Sequence, residues 1–291
     1  MEQEDKAVNA KVPPRAFHLV SIGLFLFVFL GPSPAGGGEA DEYTLAVVPR
    51  TTPIAIHRDW APFAERLSRE IPHGGTIRLK VYQSYEEFDA DLLKGIPDFV
   101  FMSPYHSVRA RRAQGYIPLI RDSAKLLTGI LVVRRDSPAR SVHDLDGKDL
   151  VFPSPNAFGA SLYLRALLTE KEKIRFNPRY VGSHSNVYRH VILGKAAAGG
   201  GVSDTLGREP PEIRGKLRVL YEIPGAAPHP LAAHPRVPEA VRRSIIDVVL
   251  KLQADEAGRG LLDAVSLSLG RSRPTTPGTT SISNSSTWKN T

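Results

Sequence analysis

The 291-residue chain contains no cysteine. That excludes disulfides, cysteine-ligated zinc, a thiol nucleophile and lipid attachment through an N-terminal cysteine. It also excludes enzymes that assemble a cofactor on a cysteine. Methionine and tryptophan are scarce, two of each; Trp60 reads as core on a helix face and Trp288 lies in the tail. The apolar run Leu19–Leu30 is twelve residues long, short of the roughly twenty that span a bilayer comfortably. No G-x-S-x-G elbow, H-E-x-x-H or zinc spacing is present, and the glycine clusters lack both the Walker lysine and the dinucleotide spacing. The sequence therefore offers no catalytic residue, no metal site and no cofactor site, and points away from an enzyme.

What is present is positive charge. Lys and Arg number 38 against 30 Asp and Glu, a formal net charge of +8. Such an excess suits nucleic acid, an anionic membrane surface or a small anion. The cations are spread along the chain, and the densest group, Arg109, Arg111 and Arg112, reads as a solvated helix face. With no nucleic-acid-binding signature, the expected partner is a small anionic ligand and not nucleic acid. At the N-terminus, Lys6, Lys11 and Arg15 precede the apolar run, and Pro32, Pro34 and small residues follow it. This is the pattern of an export signal, with cleavage after Ala35 or Ala40, or else of an uncleaved anchor. The expected location is periplasmic. Residues 271–291 are rich in Pro, Thr, Ser and Asn and read as a disordered tail.

Between these ends the pattern alternates strand and helix. Tyr43–Val48 reads as a strand, Asp59 as the cap of a helix burying Trp60, Phe63, Ala64 and Leu67, and Thr76–Tyr82 as a second strand. A capping box at Ser84–Glu87 opens a helix that Gly95 stops. Asp98–Phe101 is a buried strand, and Ser103-Pro-Tyr105 opens the next helix. Leu126–Arg135 is the strongest strand signal, after which the alternation resumes until a proline-rich passage, Pro224–Pro238, and a last helix, Glu239 to about Glu256. The expected architecture is α/β with two lobes, mostly parallel sheets flanked by helices, and a ligand cleft between the lobes. Residues 1–40 form the signal or anchor, 41–127 plus 224–270 the first lobe, and 128–223 the second.

Three turns stand out: Ser154–Ser161, Ser183–Asn186 and Gly199–Asp204. Each follows a predicted strand and opens a predicted helix. Helix starts carry unpaired N–H groups and the positive end of the peptide dipoles, so they can hold an anion. The first supplies Asn156, Ala157, Phe158 and Ser161, the second His184, Ser185 and Asn186. A bound anion would raise the pKa of His184 and keep it charged. Arg50, just after the first strand, can pair an oxyanion. Each of these residues also has an ordinary reading as a helix cap or a surface side chain.

With its order of elements, its Asp-Leu-Asp-Gly-Lys148 turn, its Gly-Ser-His-Ser-Asn186 turn and its Gly-Gly-Val-Ser-Asp204 turn, the chain resembles the PhnD-like phosphate, phosphite and phosphonate binding proteins of ABC transporters over about Tyr43–Val265. The resemblance implies the type II periplasmic binding fold. It also implies a cleft tyrosine at Tyr85, a first-lobe turn at Ser103-Pro104-Tyr105, an oxyanion-wrapping helix start at Ser154–Ser161, a cleft histidine at His184 and an acidic cleft position near Asp204. Two departures are visible. The helix start lacks the family's Ser/Thr cluster, and the proline-flanked acid that would pair an aminoalkyl group is replaced in Ala227-Pro-His-Pro230. The implied function is capture of a phosphonate-, phosphate- or phosphite-like oxyanion by a monomer and its delivery to an ABC transporter permease. The alternative is a ligand-sensing input for a membrane protein such as a sensor kinase. On this reading, His184→Ala should weaken anion binding, measured by calorimetric titration, more than Arg111→Ala does; equal small effects would remove His184 from the site.

Overall fold

The computed structural model describes residues 41–269 apart from 123; the expected export segment and tail lie outside the described residues. In chain order it runs through β1 (Glu42–Val47), α1 (Pro53–Ser68), β2 (Thr76–Lys80), α2 (Tyr85–Leu93), β3 (Phe99–Phe101), α3 (Pro104–Gln114) and β4 (Ile117–Arg121). A second run follows: β5 (Gly129–Arg134), β6 (Lys148–Phe152), α4 (Tyr163–Ala166), β7 (Phe176–Tyr180), α5 (His184–Ile192), β8 (Ala198–Val202), α6 (Ser203–Gly207), α7 (Pro211–Arg214) and β9 (Leu217–Glu222). The chain closes with β10 (Pro230–Ala233), α8 (Glu239–Leu252) and α9 (Glu256–Ala264).

Two five-stranded sheets result, ordered β2-β1-β3-β10-β4 and β7-β6-β8-β5-β9. In the first, β1 is parallel to β2 and β3, while β10 is antiparallel to β3 and β4. In the second, β6 is parallel to β7 and β8, while β5 is antiparallel to β8 and β9. The sheets are thus evenly mixed where mostly parallel pairing was expected. The antiparallel partners are made by the strands beside the two crossings: β5 opens the second sheet, and β10 returns to the first after the second is complete.

Local chemistry explains the main differences from expectation. Helix α1 begins at Pro53, with Thr52 Oγ1 accepting the Ala55 N–H at 3.3 Å, and not at Asp59, which lies inside it and pairs with Arg58. Proline at the first helical position is preorganised for a helix and gives up no needed donor. The expected apolar face is buried: Trp60, Phe63, Ala64 and Leu67, joined by Ile56. Strand β10 lies inside the stretch read as a proline-rich loop. Pro230 is its first residue, where a missing N–H is tolerated, and Leu231–Ala233 are fully buried. The last helix breaks after Leu252, and Asp255 restarts α9 by accepting the Gly258 N–H at 2.7 Å.

Strand β5 explains the long apolar run in the sequence. Leu131 and Val133 enter one core with Phe152, Leu164 and Leu168, while Ile130 and Val132 enter another with Val187, Tyr188 and Val191. Alternate side chains are buried on opposite faces, so a strand covered on both sides reads as continuously apolar.

The glycines of β8 fix where the next feature sits. A Cβ on Gly200 would lie 2.0 Å from the Ala160 carbonyl oxygen, and one on Gly129 of β5 would lie 2.2 Å from that of Gly159. The helical stretch made by a π-turn (Phe158–Leu162), α4 and a second π-turn (Leu167–Lys171) therefore seats its first turn directly on the sheet. Gly200→Ala should lower stability by about 3 kcal/mol, read as a melting temperature lower by roughly 6–12 °C. Gly260→Ala, in α9 with no atom within 4 Å of its added Cβ, should raise stability by up to about 1 kcal/mol.

Candidate functional site

The strands deliver one set of side chains to one place. Arg50 follows β1, Ser103 follows β3, Ala157–Ala160 follow β6 and Asp204 follows β8. His229 immediately precedes β10, which runs the opposite way and so brings its N-terminal end to the same side. They enclose a small cavity of about 10 Å³ lined by Val48, Arg50, Tyr85, Ser103, His106, Ala157, Phe158, Gly159, Ala160, His184, Val202 and His229. Beside it lies a larger chamber of about 520 Å³ that shares Arg50, Val202 and His229 with the small one. Crevices at the carboxyl ends of strands are where α/β sheets bind ligands.

Arg50 is the centre of the wall. Its guanidinium lies 3.3 Å from Asp204 Oδ2, donates to Ser266 Oγ at 3.2 Å, and sits 5.3 Å from the centre of the Phe101 ring. Its carbonyl accepts the His184 N–H at 3.1 Å. Asp204 also accepts from Arg208 Nε at 3.1 Å and Ser266 Oγ at 3.0 Å. Burial pushes the Asp204 carboxyl upward, but Arg50 and Arg208 overcome it and hold the group below the usual carboxylate range. Two guanidiniums against one carboxylate leave an excess of positive charge.

His184 is buried, with Nδ1 2.8 Å from Thr205 Oγ1. Thr205 Oγ1 also lies 3.0 Å from the Val202 carbonyl and 2.9 Å from the Tyr188 hydroxyl. Burial and then the Arg50 charge lower the His184 pKa to about 3. In this structure His184 is thus a neutral imidazole; the charged form was expected only beside a bound anion. His229 is held well below its ordinary value by burial and by Arg50, and stacks on Phe101 at 5.4 Å.

On the other wall Ser103 caps α3, and its Oγ lies 2.7 Å from His106 Nδ1. His106 Nε2 and Asp89 Oδ1 face each other at 2.9 Å, off the line of a hydrogen bond, so the contact counts as proximity alone. Asp89 Oδ2 accepts from Asn156 Nδ2 at 2.8 Å, a bond from α2 of the first sheet's half to the turn after β6 of the second. Tyr85 is buried against the His106 ring.

Of the residues singled out from sequence, Arg50, Tyr85, Ser103, Ala157, Phe158 and His184 line the small cavity, and Asp204 lines the chamber. The others do not line either. Asn156 is turned to Asp89. Tyr105 packs edge-on to His106 and under Arg109. Ser161 is buried and accepts from Arg165 Nε, Ser185 donates to Glu209, and Asn186 is exposed and bonds the Val181 carbonyl. Sequence reasoning missed His106, and it noted His229 only as the replacement of an acid, without placing it in the cavity wall. The first is legible as the third helical residue after a serine cap. The second needed β10 to be recognised, since that strand sets it on Phe101.

The three helix starts also differ. At α5 the His184 and Asn186 amides are taken by the Arg50 carbonyl and Ser183 Oγ, and at α6 the Ser203 amide is taken by the Thr128 carbonyl. The start at Phe158 leaves the amides of Phe158, Gly159 and Ala160 without a partner among the described residues, as α6 leaves those of Asp204 and Thr205. The Ser161 and Leu162 amides bond the Ala157 carbonyl at 2.8 and 3.0 Å, and the amides of Phe158, Gly159 and Ala160 precede them. Among the described residues no His, Asp and Glu cluster is placed to hold a metal ion, and no helix is long and apolar enough to cross a membrane.

Residues 45–276 match the family described as ABC transporter, phosphonate, periplasmic substrate-binding protein. Curated protein sequences give no match. The fold is similar to that of a binding protein component of an ABC phosphonate transporter from Pseudomonas aeruginosa (TM-score 0.70, 16% identity, 79% of this chain and 80% of that one). It is also similar to PhnD1 from Prochlorococcus marinus in complex with methylphosphonate (TM-score 0.71, 16% identity, 78% of this chain and 91% of that one). A third similar structure is XAC2383 from Xanthomonas citri bound to chloride ion (TM-score 0.61, 17% identity, 78% of this chain and 89% of that one).

The buried neutral histidines set a pH dependence. A folded-state pKa of about 3 against an ordinary 6.5 means that the unfolded chain binds the extra proton, so stability is full above about pH 6.5 and falls below it. His184 alone should account for about 2 kcal/mol lost between pH 6.5 and 5, and His229 adds a loss of the same sign. Thermal melts across that range should show the decline, and His184→Gln should remove part of it.

Proposed function

The chain belongs to the periplasmic substrate-binding proteins of phosphonate ABC transporters, and we propose that it captures a small oxyanion lacking an ammonium group between its two sheets. The observation that carries this reading is the open helix start at Phe158–Ala160, set across the small cavity from Arg50, Tyr85 and Ser103. Backbone amides at a helix start and a guanidinium are the groups that bind an oxyanion without any catalytic side chain. The site binds its ligand and releases it unchanged. Methylphosphonate in the Prochlorococcus PhnD1 structure supports the phosphonate class. Asp204 already serves Arg50, Arg208 and Ser266, and His229 is neutral, so neither offers a free negative charge to an aminoalkyl group.

Capture works by closure. The first lobe, 41–127 plus 224–270, and the second, 128–223, are joined by the two crossings that follow β4 and β9. Contacts that join the halves include the Arg50 carbonyl with the His184 amide, Arg50 with Asp204, Asp89 with Asn156, Ser266 with Asp204, and Arg208 with the carbonyls of Asp263 and Ala264. A ligand that touches both walls favours the closed form by its differential affinity. Residues 1–40 supply the export signal, the monomer delivers its ligand to the transporter's permease, and the location is periplasmic.

A thermal-shift screen of the protein against phosphate, phosphite, methylphosphonate, aminoethylphosphonate, sulfonates and carboxylates tests the reading. A ligand at a hundredfold over its Kd adds about 2.7 kcal/mol. The expected outcome is a clear shift with an alkylphosphonate or related oxyanion and a smaller one with aminoethylphosphonate. A shift confined to carboxylates, or the largest shift with aminoethylphosphonate, would overturn it.

A further inference from the structure

The small cavity has room for about one water-sized probe, 10 Å³, yet the chamber joined to it keeps about 520 Å³ with the two halves in contact. That volume lies within the roughly 300–1,000 Å³ typical of sites for organic ligands. We propose that the chamber is a subsite for an apolar organic substituent of the captured oxyanion, about the size of a phenyl ring, with His229 as the polar group at the junction. The proposal rests on the oxyanion reading above.

Three observations carry it. First, the two spaces share a wall: Arg50, Val202 and His229 line both. Arg50 therefore faces both spaces, and an anion paired with it lies beside the chamber. Second, the chamber's lining includes the apolar side chains of Phe101, Val202, Leu127, Leu126 and Pro228. Leu126 is 66% exposed at the rim, a large apolar side chain that an organic group would cover. Third, apart from Lys125, the charged groups of the chamber are engaged with the protein. Arg208 holds Asp204 and the carbonyls of Asp263 and Ala264, Asp263 accepts from Ser268, and Asp122 accepts the Ala124 and Lys125 amides. A highly charged substituent would find few free partners there. An apolar one would displace water from apolar walls, which is favourable.

His229 has a distinct place in this arrangement. It is 8% exposed, it stacks on Phe101, and among the described residues neither ring nitrogen has a hydrogen-bond partner. His229 lines both spaces, so its ring can meet a ligand oxygen at their junction. The imidazole thus sits between the anionic head and the organic tail.

The test is calorimetric titration of the full chain with methylphosphonate and phenylphosphonate, in the wild type and in Ser203→Phe, whose exposed position on the chamber wall would fill the subsite. The expected result is a Kd for phenylphosphonate at least about tenfold lower than for methylphosphonate, with that ratio collapsing toward one in Ser203→Phe. His229→Leu should weaken both ligands. Equal Kd values in the wild type would overturn the chamber subsite while leaving the oxyanion reading intact. A wild-type preference that Ser203→Phe leaves unchanged, in a variant that melts like the wild type, would also overturn it. Binding of neither phosphonate would sink the oxyanion reading and the subsite with it.

Discussion

A guanidinium removed from water must be compensated on every side, and Arg50 shows what that demands of the rest of the molecule. Its charge is met by Asp204, its second nitrogen by Ser266, its carbonyl by the His184 amide, and one face by the Phe101 ring. These partners come from β3, from the first residue of α5, from α6 and from the segment after α9. A single buried cation therefore holds together elements from both halves of the chain. Loss of any one partner leaves a buried charge less well matched, and such losses are costly.

The same charge sets the chemistry of its neighbours. Arg50 disfavours protonation of His184 and His229 and favours the ionised form of Asp204. The cleft is consequently a set of neutral imidazoles around one compensated guanidinium, with the helix start at Phe158 opposite. An entering anion would reverse this balance by raising the pKa of the imidazoles it touches. The protein's preference among oxyanions thus follows from how many of these groups the anion can reach.

Glycine does the complementary work on the backbone. Gly129 and Gly200 let the carbonyls of Gly159 and Ala160 approach the second sheet more closely than any side chain would permit. The first helical turn is thereby held at the strand ends, where Phe158, Gly159 and Ala160 line the small cavity. None of the three β8 glycines adopts a left-handed conformation; their value here is the absence of a side chain.

Much of this was legible in the sequence because it is local. The serine caps at Ser84, Ser103 and Ser183, the two-sided burial of β5, and the turn that opens at Phe158 all follow from periodicity and capping chemistry within a few residues. Absence was equally decisive, since a chain without cysteine cannot use thiol chemistry. Tertiary structure alone decided which helix-start amides are taken. The acceptors, the carbonyls of Arg50 and Thr128, lie 134 and 75 residues from the amides of His184 and Ser203 that they bind. It also decided that Asn156 reaches Asp89, that His229 stacks on Phe101, and that Asp204 is committed to two arginines. Capping and periodicity act through neighbours along the chain, whereas partner choice and burial depend on residues that only the folded topology brings together.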